Sequence, residues 1–152
     1  MTDHVPIHTP RLFADDSAVR YVGEGLLACA LPKAEWTHEA HLAACLWLIV
    51  ERADIAPESD LPGIIRRYNA SVGGVNDDTQ GYHETLTQLY VAGVRLFLRD
   101  EPAGALVQRV NRLLLSPLGE RGWPLTLYSR ELLFSVAARR SFIAPDVGAW
   151  PG

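Results

Sequence analysis

An all-α fold, an irregular bundle of five to six helices in one domain, is what this chain of 152 residues predicts. Three observations carry it. Apolar residues recur at the 3.6-residue helical period in each long segment, each such segment has its own cap or stop, and no run alternates with period two over a convincing length. A domain of this size buries roughly 68–70% of the surface its unfolded chain exposes, enough for a core without staples. Residues 1–152 are therefore read as a single helical domain, with an N-terminal arm at 1–14 and an irregular tail at 145–152.

The arm carries Pro6 and Pro10, no periodicity, and the first two histidines, His4 and His8. DDSAVRYVGEGLLACAL offers Asp or Ser caps ahead of Val19, Val22, Leu26 and Leu27, a helical spacing interrupted by Gly23 and Gly25 and stopped by Pro32. The second helix lies in WTHEAHLAACLWLIVER, capped by Thr37 and ended by ADIAPESD; apolar almost all round, it belongs at the centre of the bundle. A third, short helix, DLPGIIRRYNASVGG, takes Asp60 as its cap, carries Pro62 in its first turn and closes at Gly73 and Gly74. After the polar loop VNDDTQG, the fourth and clearest helix is YHETLTQLYVAGVRLFLRD. AGALVQRVNRLLLSP is a fifth, ended by Pro117, and SRELLFSVAARRSF a sixth, with Ser129 as cap.

Composition narrows the function classes. A net charge of −4 and a pI near 5.7, with the arginines scattered, give no footprint for nucleic acid. The N-terminus lacks a basic stretch followed by an apolar core, and the longest uncharged apolar run, LAACLWLIV, is far short of the roughly 20 residues of a membrane span. Cys29 and Cys45 fall inside apolar helical patterns rather than in a spaced disulfide framework. These features predict a soluble, cytoplasmic protein with no membrane or nucleic-acid partner.

The remaining histidines carry the functional signal. At 100° per residue, Glu84, Gln88, Arg95 and Arg99 form one polar arc of the fourth helix, while His83 lies on the core side with Thr87 beside it and Glu84 at the rim. On the second helix His38, His41, Leu42, Cys45 and Ile49 share a stripe, and Ala40, Ala43 and Ala44 make the opposite side, where another backbone can approach. Two helices thus aim histidine inward near their N-termini, where the helix dipole disfavours imidazolium and keeps the ring neutral as ligand or base. An i, i+3 pair offers two ligands to one ion, and His83 supplies a third. Tyr68, Tyr82, Tyr90 and Tyr128 read as half-buried packing residues with satisfied hydroxyls, any of which could orient a ligand.

WTHEAHL, RRYN, GYHETLT and YSRELLFS followed by ARRSFIAPD together resemble a family of small, uncharacterised bacterial proteins, over about Trp36 to Asp146. The matching positions are His38, His41, His83, Glu84 and Thr85. No activity is assigned to that family, so the resemblance implies no catalytic role.

The expected function is small-molecule processing at an inter-helical histidine site. In its metal-dependent form Zn²⁺ or Fe²⁺ is held by His38, His41 and His83, with an open position for water or substrate and with hydrolytic or oxygen chemistry equally suited. His38, His83 and Glu84 are then the catalytic candidates, Glu84 or a tyrosine moving the proton; without metal, a neutral histidine is the base. The alternative is a non-enzymatic helical module, ligand-binding or assembling as a homo-oligomer, whose histidines close core hydrogen bonds and whose Cys45 is a small hydrophobe.

Overall fold

The computed structural model describes residues 9–152, so His4 and His8 lie outside the described residues. Among the described residues there are seven α-helices and no strand: α1 (Asp16–Leu27), α2 (His38–Glu51), α3 (Pro57–Ser71), α4 (Glu84–Asp100), α5 (Leu106–Leu115), α6 (Arg130–Leu133) and α7 (Val136–Arg140). None is long and apolar enough to cross a membrane.

Each boundary has a local cause. The Asp15 carboxylate accepts the Ala18 N–H and starts α1; the helix ends at Leu27, ahead of Pro32, because Cys29 turns into the left-handed region at φ 54°. Thr37 Oγ1 accepts the Ala40 N–H and starts α2. As its composition requires, α2 is the axis of the bundle and touches α1, α3, α4 and α5. Every residue from Leu42 to Leu48 is buried. Gly23 of α1 meets this axis directly: an added Cβ there would lie 2.2 Å from the Trp47 ring. The glycine that interrupts the apolar pattern is thus the seat for the largest side chain of α2.

Two helices depart from the sequence reading. The third begins at Pro57, three residues before the expected Asp60 cap; Ala56 is the N-cap, and Asp60 reaches back to accept its N–H at 2.9 Å. Pro62 therefore falls inside the helix rather than in its first turn. Lacking an N–H, it leaves the carbonyl of Glu58 unbonded within the helix, and Gln88 Nε2 of α4 donates to that oxygen at 2.9 Å. The proline is tolerated because a neighbouring helix supplies the missing donor. Arg95 pairs with the Glu58 side chain beside it.

The expected sixth helix is two. Ser135 Oγ accepts the Ala138 N–H as a fresh N-cap, six residues after Ser129 does the same for Leu132, so the chain restarts as α7 instead of running on. Between α5 and α6 lie two 3₁₀ turns, Pro117–Gly119 and Trp123–Thr126, which the periodicity did not anticipate. A main core surrounds α2, and a smaller one forms from Leu89, Tyr128 and Leu133 with Trp150 of the tail packed on it. The tail lacks helix but is tied down: Leu127 O accepts the N–H groups of Val147 and Gly148, and Asp146 accepts that of Ser129.

Candidate functional site

A cavity of about 660 Å³ opens between α2, α3 and α4. His38, His41 and His83 all line it, together with Cys45, Thr87, Tyr68, Tyr82 and Tyr90. His38 and His41 reach it from the first turn of α2, and His83 from the extended N-cap position ahead of α4 rather than from within the helix, as the sequence reading had it. Gly74, Val75, Gln80 and Gly81 of the loop after α3 border it as well. Asn76 holds that loop in place, accepting from Asn69 Nδ2 and the Tyr82 N–H while donating to Arg66 O.

The three imidazoles occupy different chemical states. His83 is the N-cap of α4: its Nδ1 accepts the Leu86 N–H at 3.1 Å, so the proton sits on Nε2, which donates to Leu133 O at 2.8 Å. Both ring nitrogens are therefore engaged, and the ring is buried. His38 donates from Nε2 to Gly119 O at 2.9 Å, tying the start of α2 to the Pro117–Gly119 turn. His41 donates from Nδ1 to Thr37 O, one turn earlier on its own helix, at 2.6 Å. That bond fixes the tautomer and leaves Nε2 as an acceptor with no hydrogen-bond partner among the described residues. The His41 ring stacks on Trp36, centroids 3.8 Å apart.

His41 is exposed to solvent through the cavity it lines, although protein surrounds the ring at longer range. Desolvation, opposed by the Thr37 carbonyl and reinforced by His38, pushes its pKa down to about 4. Burial lowers that of His83 too, against the pull of the Leu133 carbonyl. Both shifts favour the neutral ring. Between about pH 6.5 and pH 4 the unfolded chain then binds more protons than the folded one, so stability falls as pH drops through that window. Melting temperature between pH 7 and pH 5 should fall more steeply for the wild type than for His41→Gln. Parallel profiles would show that His41 carries no such shift.

The other expected site residues are placed as follows. Glu84 is half-buried and accepts from the Tyr82 hydroxyl and from Gln88 Nε2, so it is held as a support at the rim. Cys45 is buried, its thiol pushed up to about 12 by desolvation, which makes it a small hydrophobe in the wall. Thr87 Oγ1 donates to His83 O. Tyr68 and Tyr128 are fully buried rather than half-buried, and their hydroxyls donate to Leu31 O and Ile143 O. Tyr90 departs from the pattern: its hydroxyl has no hydrogen-bond partner among the described residues, and burial raises its pKa, keeping it protonated.

Sequence reasoning missed Lys33, Trp36 and Arg121 as lining residues. Trp36 was adjacent to the histidine stripe and could have been found there; Arg121 lies in an irregular segment with no periodicity to phase it. As a metal centre, the three-histidine set meets a specific obstacle. His83 has no lone pair to offer without giving up its helix cap, and among the described residues no three His, Cys, Asp or Glu side chains are gathered as around one ion.

Compared with protein-family models, with curated proteins and with solved structures, the chain finds no match in any of the three.

Proposed function

We propose that the cavity is the site of a small-molecule-processing protein and that His41 is the group that exchanges a proton with the bound molecule. The observation that carries this reading is the unpartnered Nε2 of His41, a neutral imidazole that lines a cavity within the size range of ligand sites, about 300–1,000 Å³. A proton leaving the substrate would pass to Nε2, and the imidazolium so formed would keep its Nδ1–H on the Thr37 carbonyl, the role an orienting acceptor plays for a catalytic histidine. Tyr90 would supply an O–H donor from the opposite helix. His38, His83 and Glu84 would then position rather than react, through Gly119, Leu133 and Tyr82. Two free thiols, Cys29 and Cys45, suit a reduced cytoplasmic setting.

The test is a long-range ¹H–¹⁵N correlation spectrum of the imidazoles during titration with a set of ring-bearing fragments. Binding molecules are expected to shift His41 Nε2 and the Trp36 indole while leaving the His83 nitrogens in place. Fragments that bind without touching either would remove the reading. Zn²⁺ or Fe²⁺ added to wild type is expected to leave the melting temperature unchanged. A rise abolished by both His38→Ala and His41→Ala would instead support the metal-dependent form. A second reading, a binding module without turnover, is favoured by the full engagement of His83 in the fold. It keeps the fragment site but predicts that His41→Gln binds the same fragments equally well.

A further inference from the structure

The cavity lining contains two formally cationic side chains, Lys33 and Arg121, and no carboxylate. In a chain with 18 acidic and 14 basic residues, this is against the average composition. Neither cation is consumed by the fold. Lys33 makes no ion pair among the described residues, and Arg121 has only Glu39, at 3.8 Å, beyond hydrogen-bond distance, with 68% of its own side chain exposed. Arg121 and Tyr90, whose hydroxyl has no hydrogen-bond partner among the described residues, line the same cavity. The same lining includes the apolar and aromatic side chains of Trp36, Leu42, Leu61, Tyr68 and Leu86.

From this charge complementarity we infer that the cavity takes an organic monocarboxylate: a ring-bearing apolar body against the aromatic wall, with its carboxylate held by Arg121, Lys33 and the Tyr90 hydroxyl. This rests on the reading of the cavity as a small-molecule site and names the class of molecule. A carboxylate would supply the counter-charge that Lys33 lacks among the described residues and that Arg121 has only from Glu39 at 3.8 Å. The guanidinium fork also matches a carboxylate in a way that a single ammonium cannot. A neutral molecule of the same shape would leave Lys33 without a counter-charge among the described residues and Arg121 with Glu39 alone.

Calorimetric titration of the full chain with 2-naphthoate, 2-naphthamide and 2-naphthyl phosphate tests it. The naphthoate is expected to bind about tenfold or more tightly than the amide, with an advantage that shrinks as salt is added. Lys33→Gln and Arg121→Gln should each remove part of that preference, and together all of it. Arg121→Lys, which keeps a positive charge beside Glu39 but loses the fork, should retain more of the preference than Arg121→Gln and less than wild type. The inference is overturned if wild type binds naphthoate and amide equally, if the preference survives in the double variant, or if the phosphate binds more tightly. Amide binding without carboxylate preference would leave the cavity reading standing and remove only the anion. Failure of all three probes to bind would overturn both.

Discussion

Replacing Gly119 with alanine is expected to lower stability by about 3 kcal/mol, the upper end of what overpacking a close-packed interior typically costs. Gly119 is buried, and a Cβ built there would lie 1.9 Å from the carbonyl oxygen of Leu114 and 2.5 Å from its carbon. Both are backbone atoms of α5, so no side-chain rotation relieves the contact, and the Pro117–Gly119 turn must move as a whole. The same turn presents Gly119 O to His38 Nε2, so the displacement also loosens the N-terminal histidine of α2. For a chain of this length the loss corresponds to a fall in melting temperature of about 6–12 °C. Gly63→Ala supplies the contrast. Gly63 is exposed inside α3 with nothing within 4 Å of a new Cβ, so alanine there should stabilise by up to about 1 kcal/mol through helix propensity. Thermal unfolding followed by circular dichroism reads both. Like signs for the two changes would mean that backbone crowding at Gly119 is not what holds the turn.

What the sequence made legible follows from where the controlling interactions lie. Periodicity placed α1, α2, α4 and α5 because their burial repeats along one strand of chain, and Thr37 marked α2 because a cap is a contact three residues long. The start of α3 was misplaced because Pro62 reads locally as a first-turn proline. Its lost bond is replaced by Gln88 Nε2, 30 positions from Glu58, which no local pattern reveals. The split at Ser135 was available in principle, as a second serine cap in the same register as Ser129, but the apolar run through Leu132, Leu133, Phe134 and Val136 masked it. That His38 and His41 border one cavity agrees with their phase on α2, whereas His83 reaches it as the extended N-cap of α4, where helical phase does not apply. What each ring does there was not legible, because it depends on carbonyls of Gly119 and Leu133, far along the chain from His38 and His83. Lys33 and Arg121 sit in short 3₁₀ or irregular stretches, where a side chain's direction is set by packing rather than by period.

His83→Ala is expected to cost about 2–4 kcal/mol, and the reason separates the two roles this histidine could have. Its Nδ1 caps α4 through the Leu86 N–H, worth about 1 kcal/mol. Its Nε2–H satisfies Leu133 O, the last carbonyl of α6, which helix geometry leaves without an internal partner and whose burial unpaired costs about 1–3 kcal/mol. One ring therefore joins the start of α4 to the end of α6 beside the smaller core of Leu89, Tyr128 and Leu133. Asparagine at this position keeps an acceptor for the cap but is too short for Leu133, so His83→Asn should recover about 1 kcal/mol of the loss. Urea unfolding of the three proteins, each with and without a strong chelator, decides between cap and ligand. As a cap, His83 gives the ranking wild type, Asn, Ala, and the chelator changes none of the midpoints. As a metal ligand, wild type would fall to the level of Ala on chelation, and Asn would gain nothing over Ala, because the stability would then reside in a bond to the ion rather than in the two hydrogen bonds of the ring.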